Sequence, residues 1–115
     1  RLSRGLGDVY KRQGYTKDFL DIKNTLGKAD LVAIPIGAYK PRDIMKFSHL
    51  NPEEAVKTFI DLEARKAVAM HWGTFILSQE NVDAPKKDLK MNLEKFGIEL
   101  EDFFVLKHGE TINLK

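Results

Sequence analysis

The chain has 115 residues, 43% of them hydrophobic and 31% charged, the composition of one small globular domain. Without a cysteine it can form neither a disulfide nor a thiolate metal site, so any metal must be held by His, Asp or Glu. The longest apolar run, Leu31 to Ile36, falls far short of the roughly 20 residues that span a bilayer. No basic-then-apolar signal pattern opens the chain, and together with the absence of cysteine this points to a cytoplasmic protein. Arg1, Arg4, Lys11 and Arg12 against Asp8 concentrate the positive charge in the first thirteen residues, so the remainder is close to neutral. A near-neutral domain carries no electrostatic footprint for nucleic acid.

Residues 1–13 have no hydrophobic period, and Gly5 and Gly7 interrupt any helix there. The run Leu2 to Gln13 resembles the translated adapter sequence found at the ends of open reading frames in assembled metagenomic data. It is therefore expected to be a non-native leader, with the domain proper covering 14–115. The alternative is a natural disordered arm.

Thr16 can cap a helix that puts Phe19, Ile22 and Leu26 on one face, with Gly27 placed to end it. Asp30 then opens Leu31-Val32-Ala33-Ile34-Pro35-Ile36, a continuous apolar run that predicts a strand covered on both faces. Pro35 has no backbone donor, so the strand must end there or lie on an unpaired edge. Gly37 to Asp43 reads as a loop, with Lys40 held extended by Pro41.

Asn51-Pro52-Glu53-Glu54 combines a cap, a first-turn proline and acids at the positive helix end. Val56, Phe59 and Ile60 make the apolar stripe of a helix running to Arg65-Lys66. The next strand, Ala67 to Met70, completes a β-α-β unit with the right-handed crossover expected of parallel strands. Its two strands point the same way, so the loop after Ile36 and the residue after Met70 emerge at one rim. That residue is His71, at the point where Trp72-Gly73-Thr74 turns the chain.

In open α/β sheets, ligands sit outside the carboxyl ends of the strands. An imidazole there suits a zinc ligand or an acid/base group, although a hydrogen bond to a backbone carbonyl is the plainer role.

Beyond Phe75-Ile76-Leu77 and a polar link, Pro85 begins a helix that Gly97 ends. Leu89, Leu93 and Phe96 face inward, and Lys86, Lys87, Lys90 and Lys95 face outward, as a solvated face or a contact with anionic lipid. Phe103 to Lys107 and Thr111 to Leu114 read as a terminal β-hairpin around His108-Gly109-Glu110. The whole is α/β.

His49, His71 and His108 suffice in number for a zinc site, but their spacing matches no local metal motif. Four blocks taken together say more. Pro35-Ile36-Gly37-Ala38-Tyr39, His49-Leu50-Asn51-Pro52-Glu53-Glu54-Ala55, His71-Trp72-Gly73-Thr74-Phe75 and Glu101 to Glu110 closely resemble the N-acylphosphatidylethanolamine-hydrolysing phospholipase D branch of the metallo-β-lactamase-fold hydrolases. The resemblance extends over essentially all of 14–115, with the blocks in the family's order and spacing.

This resemblance implies the C-terminal half of an αββα sandwich that carries two zinc ions and cleaves a phosphodiester of an N-acylated phospholipid. It implies that His71 is the last metal ligand. The family's His-x-His-x-Asp-His motif has no counterpart here. Of its Gly-Asp-Thr-Gly-Tyr block only Gly14-Tyr15 remain, so this segment alone is expected to be inactive, and the bridging role does not transfer to Asp8.

His49 is expected to contact phosphate or the leaving group, or else to make a helix-entry hydrogen bond. Tyr39, Trp72, Phe75 and His108 are candidates for the substrate wall, with core packing or a solvent-facing turn as their alternatives. Phe75, Ile76 and Leu77 could contribute to an acyl-chain groove or to the core. A lipid or other small-molecule substrate and a peripheral membrane contact follow from the same resemblance; the oligomeric state does not. Two other readings remain open: a lactonase or other phosphoesterase of the same fold, and a non-catalytic α/β binding module in which His71 is structural.

Overall fold

The computed structural model of the chain describes residues 14–73 and 79–114. In order, these form α1 (Asp18–Leu26), β1 (Leu31–Pro35), α2 (Arg42–Met45), α3 (Pro52–Leu62), β2 (Lys66–Met70), α4 (Ala84–Lys95) and β3 (Phe103–Phe104). The leader expected over residues 1–13, Phe75 and the apolar residues after it lie outside the described residues.

The sheet has the order β1-β2-β3 and both pairings are parallel. Register sets Val32 beside Ala67, Ile34 beside Ala69, and Ala67 beside Phe103. Because strand side chains alternate, these five share one face. They meet Phe19 of α1, Val56, Phe59 and Leu62 of α3, and Leu89 and Leu93 of α4 in a single core. The Phe59 and Phe103 rings contact edge-on at 5.6 Å. Helix α3 is central to this layer, packing on α1, α4 and β1.

The opposite face corrects the expectation that β1 is covered on both sides. Leu31 and Ala33 are exposed, and Val68, Met70 and Phe104 only half-buried. The continuous apolar run therefore belongs to a strand with one covered face among the described residues.

Local signals account for most boundaries. Thr16 Oγ1 accepts the Asp18 N–H at 3.2 Å, and Gly27 ends α1 at φ 83°, ψ −172°, a conformation essentially reserved for glycine. Phe19 is buried, but Leu26, expected on the same face, is the last residue of α1 and is 64% exposed. Asn51 forms a complete capping box: its Oδ1 accepts the Glu54 N–H at 2.7 Å, and the Glu54 carboxylate accepts the Asn51 N–H.

Helix α3 stops at Leu62, short of the expected Arg65-Lys66, because Glu63 turns left-handed at φ 48°. Lys23 holds the Glu63 carboxylate at 2.8 Å in that position.

At the end of the chain the terminal hairpin is not formed. Phe103–Phe104 is a two-residue strand that pairs parallel with β2, and 111–114 is not a strand. The turn itself exists, closed by Glu110 N–H to Lys107 O at 3.0 Å. A returning strand would need apolar side chains to bury, yet Leu114 is 50% exposed and Ile112 lies in the groove between α4 and β3. The short helix α2 has no strong sequence signal, and its first two residues, Arg42 and Asp43, fall in the stretch expected to be loop. No described helix is long and apolar enough to cross a membrane.

Replacing Asn51 by Ala removes one half of the capping box and is expected to cost about 1 kcal/mol. Urea unfolding measures it, and Asn51→Asp, which keeps the acceptor, should lose much less.

Candidate functional site

The rim is created by the parallel pairing of β1 and β2. Ile36 N–H donates to the Met70 carbonyl at 3.1 Å, so the two chains leave the sheet side by side. Gly37 then passes so close to His71 that a Cβ on it would lie 2.1 Å from the His71 carbonyl oxygen. Only glycine fits.

His71 itself sits at φ 60°, a left-handed conformation that costs a non-glycine residue on the order of 1–3 kcal/mol. Its side chain is exposed on the rim. Strain of this kind persists where the surroundings over-determine the backbone, and here the Gly37 contact and the Ile36–Met70 bond do so.

His49 arrives from the loop before α3 and stacks on His71, with ring centroids 5.7 Å apart and planes 24° from parallel. Arg42 fixes the backbone that carries it. The guanidinium donates to the His49 carbonyl at 3.3 Å and to the Tyr39 carbonyl at 3.4 Å, and it pairs with Glu54 at the start of α3. Burial pushes the His49 pKa below the ordinary histidine value; His71 adds to this, Glu80 opposes it and Arg42 adds again. At neutral pH His49 is therefore a neutral imidazole with a lone pair.

His108 comes to the same rim from the other side. Its turn is held by Lys107 N–H donating to the Glu110 carboxylate at 2.8 Å, and Gly109 takes φ 82°. Met70, His71, Trp72, Leu106, Lys107 and His108 line one cavity of about 280 Å³. Trp72 also packs against the core.

The structure thus brings His49, His71, Trp72 and His108 to one rim. Tyr39 does not line that cavity. It is 3% exposed, its hydroxyl donates to Asp88 of α4, and burial followed by that bond raises its pKa above the tyrosine range. Phe75 lies outside the described residues.

Donor chemistry at the rim fits a divalent transition ion, because neutral imidazoles are good ligands for zinc. Among the described residues, however, no three His, Asp or Glu side chains converge on a point. His71, with His49 beside it, can supply only part of a coordination sphere.

Two supporting residues escaped the sequence reading. Glu80 acts on backbone atoms some forty residues away and Arg42 on carbonyls three and seven residues away, and nothing in their local pattern distinguishes them from surface charges.

Residues 12–72 match a family described as the beta-lactamase superfamily domain. Over 83 residues, 70% of this chain, it is 46% identical to the mitochondrial N-acyl-phosphatidylethanolamine-hydrolyzing phospholipase D of Saccharomyces cerevisiae, and spans 18% of that protein. It is 38% identical over 95 residues to N-acyl-phosphatidylethanolamine-hydrolyzing phospholipase D 1 of Caenorhabditis elegans, covering 81% of this chain and 27% of the nematode protein. An uncharacterized protein of Mycobacterium tuberculosis is 44% identical over 70 residues, 56% of this chain and 18% of its own length. The chain therefore spans about a fifth to a quarter of the curated relatives it matches.

Gly37→Ala forces the β1 and β2 ends apart, with an expected loss of about 1–3 kcal/mol, the usual cost of overpacking. Denaturant unfolding measures the loss. A shift in Trp72 fluorescence should report that the rim has moved.

Proposed function

The chain belongs to the beta-lactamase superfamily, in the branch of the N-acylphosphatidylethanolamine-hydrolysing phospholipases D, and from this we propose that it is the C-terminal part of a zinc-dependent phosphodiesterase acting on N-acyl phospholipids. The observation that carries the reading is the strained, exposed His71 at the carboxyl end of β2, stacked on a neutral His49. In this reading His71 is a ligand of one of two zinc ions, and the remaining ligands come from chain preceding residue 14. The sparsely covered face of the β1-β2-β3 sheet suits the second half of an αββα sandwich.

Zinc, when bound, supplies Lewis-acid stabilisation of phosphodiester charge and makes water a nucleophile at neutral pH. The residues of this chain do the rest. His71 presents its imidazole at a fixed angle because its backbone is held by Gly37 and Ile36. His49, uncharged and adjacent, can accept a proton or donate a hydrogen bond to a phosphate or leaving-group oxygen. His108 and Trp72 form the wall of the cavity beside His71, which suits a headgroup. Tyr39, tied to Asp88, shapes the site from behind. The exposed lysines of α4 suit a peripheral contact with an anionic membrane.

Assaying the complete protein that carries this segment on vesicles of N-acylphosphatidylethanolamine tests the reading. Phosphatidic acid should be released, and His71→Ala should reduce the rate by about 100-fold or more, in line with loss of a group that positions the metal. Turnover that survives His71→Ala contradicts the reading. Hydrolysis of lactones with the phospholipid left intact would transfer the site to a related hydrolase of the same fold.

A further inference from the structure

The chain after His71 is fastened to the loop after β1 at two places, and the second fastening depends on one buried carboxylate. At the first, Ile36 bonds to Met70 and Gly37 packs against the His71 carbonyl. At the second, Glu80 Oε1 accepts the Tyr39 N–H at 2.9 Å, and Oε2 accepts the Lys40 N–H at 3.1 Å. Gln79 N–H donates to the Lys40 carbonyl at 3.3 Å beside it. Glu80 is 7% exposed, and it spends both oxygens on consecutive backbone donors of one loop.

That arrangement is an expensive way to stabilise a fold. Burying a carboxylate costs several kcal/mol of hydration, and charge-assisted bonds offset the cost only when their geometry is good. What such a contact does well is to specify a single arrangement, since any other would leave a buried charge and the buried Tyr39 N–H without partners.

The arrangement specified here is the course of residues 36–40 against residues 70–72 and 79–80. Gly37, which dictates the His71 backbone, is two residues from Tyr39. The same loop leads through Tyr39, whose carbonyl accepts from Arg42, into the guanidinium that also holds the His49 carbonyl. Glu80 is thus connected to both rim histidines through main-chain atoms, and its charge also acts on the His49 imidazole.

We propose that Glu80 is a positioning residue for the rim: by holding the Tyr39 and Lys40 N–H groups it fixes the loop that orients His71 and His49. The proposal rests on the reading of His71 as a metal ligand, and it assigns Glu80 no contact with metal or substrate. Its consequence is specific. Loosening Glu80 should weaken metal capture while every ligand is still present.

The test uses the complete protein that carries this segment, stripped of metal and titrated with zinc ion alone against a chromophoric chelator. Glu80→Gln keeps the shape and one acceptor; Glu80→Ala removes both; His71→Ala serves as the reference. The zinc dissociation constant should rise about tenfold in Glu80→Ala, the lower end of what loss of a ligand-orienting partner costs, and less in Glu80→Gln. Thermal unfolding of the metal-free proteins, measured alongside, separates positioning from simple stabilisation.

Zinc affinity equal to wild type in both Glu80 variants, with a lowered unfolding temperature, would overturn the proposal and leave Glu80 a stabilising residue only. If His71→Ala also binds zinc as wild type does, the metal reading itself fails, and the proposal with it. If the alanine variant does not fold, Glu80→Gln decides by the same comparison.

Discussion

A carbonyl oxygen occupies the space where residue 37 would carry a side chain. With glycine there, β1 and β2 can end together and the chain can turn left-handed at His71, which brings that imidazole out onto the rim. Everything proposed for the site depends on this contact. Parallel pairing brings the two strand ends level, Ile36 bonds across to Met70, and the missing Cβ lets the loop after β1 lie against the turn after β2. The strain at His71 is held in place by the backbone of Ile36 and Gly37 rather than by its own side chain.

The rest of the rim is organised by charges that grip main-chain atoms. Arg42 joins the His49 carbonyl, the Tyr39 carbonyl and Glu54, so the residue that completes the cap of α3 also anchors the guanidinium beside His49. Glu80 holds the same loop from the opposite direction. Tyr39, between them, is fixed at its N–H, its carbonyl and its hydroxyl. A loop with three such ties is a rigid support, which is what a site built at loop ends needs if its imidazoles are to keep one orientation.

Signals contained in a few consecutive residues were legible in the sequence. Asn51-Pro52-Glu53-Glu54 started its helix as read, Gly27 closed α1, and the order strand, helix, strand gave the parallel pair that brings Ile36 and His71 to one rim. Where the reading failed, the deciding partner was distant in the chain. Leu26 has the right period but is exposed at the end of α1, and the run Leu31 to Ile36 cannot say how many faces are covered. Glu63 ends α3 without glycine, held by a lysine from α1, and the apolar residues after Gly109 find no strand to pair with. The turn after Met70 was legible, but the stacking of His49 on His71 joins residues from two different loops and leaves no local pattern. The family resemblance rested on blocks of sequence, and the matched family and relatives agree with it.

Anomalous X-ray scattering at the zinc edge, from crystals of the complete protein grown with zinc, tests the central claim most directly. The account predicts a zinc peak about 2.0–2.1 Å from an imidazole nitrogen of His71, the ordinary zinc–histidine distance. A fully occupied metal centre elsewhere in the molecule, with His71 bonded only to protein atoms, would contradict it.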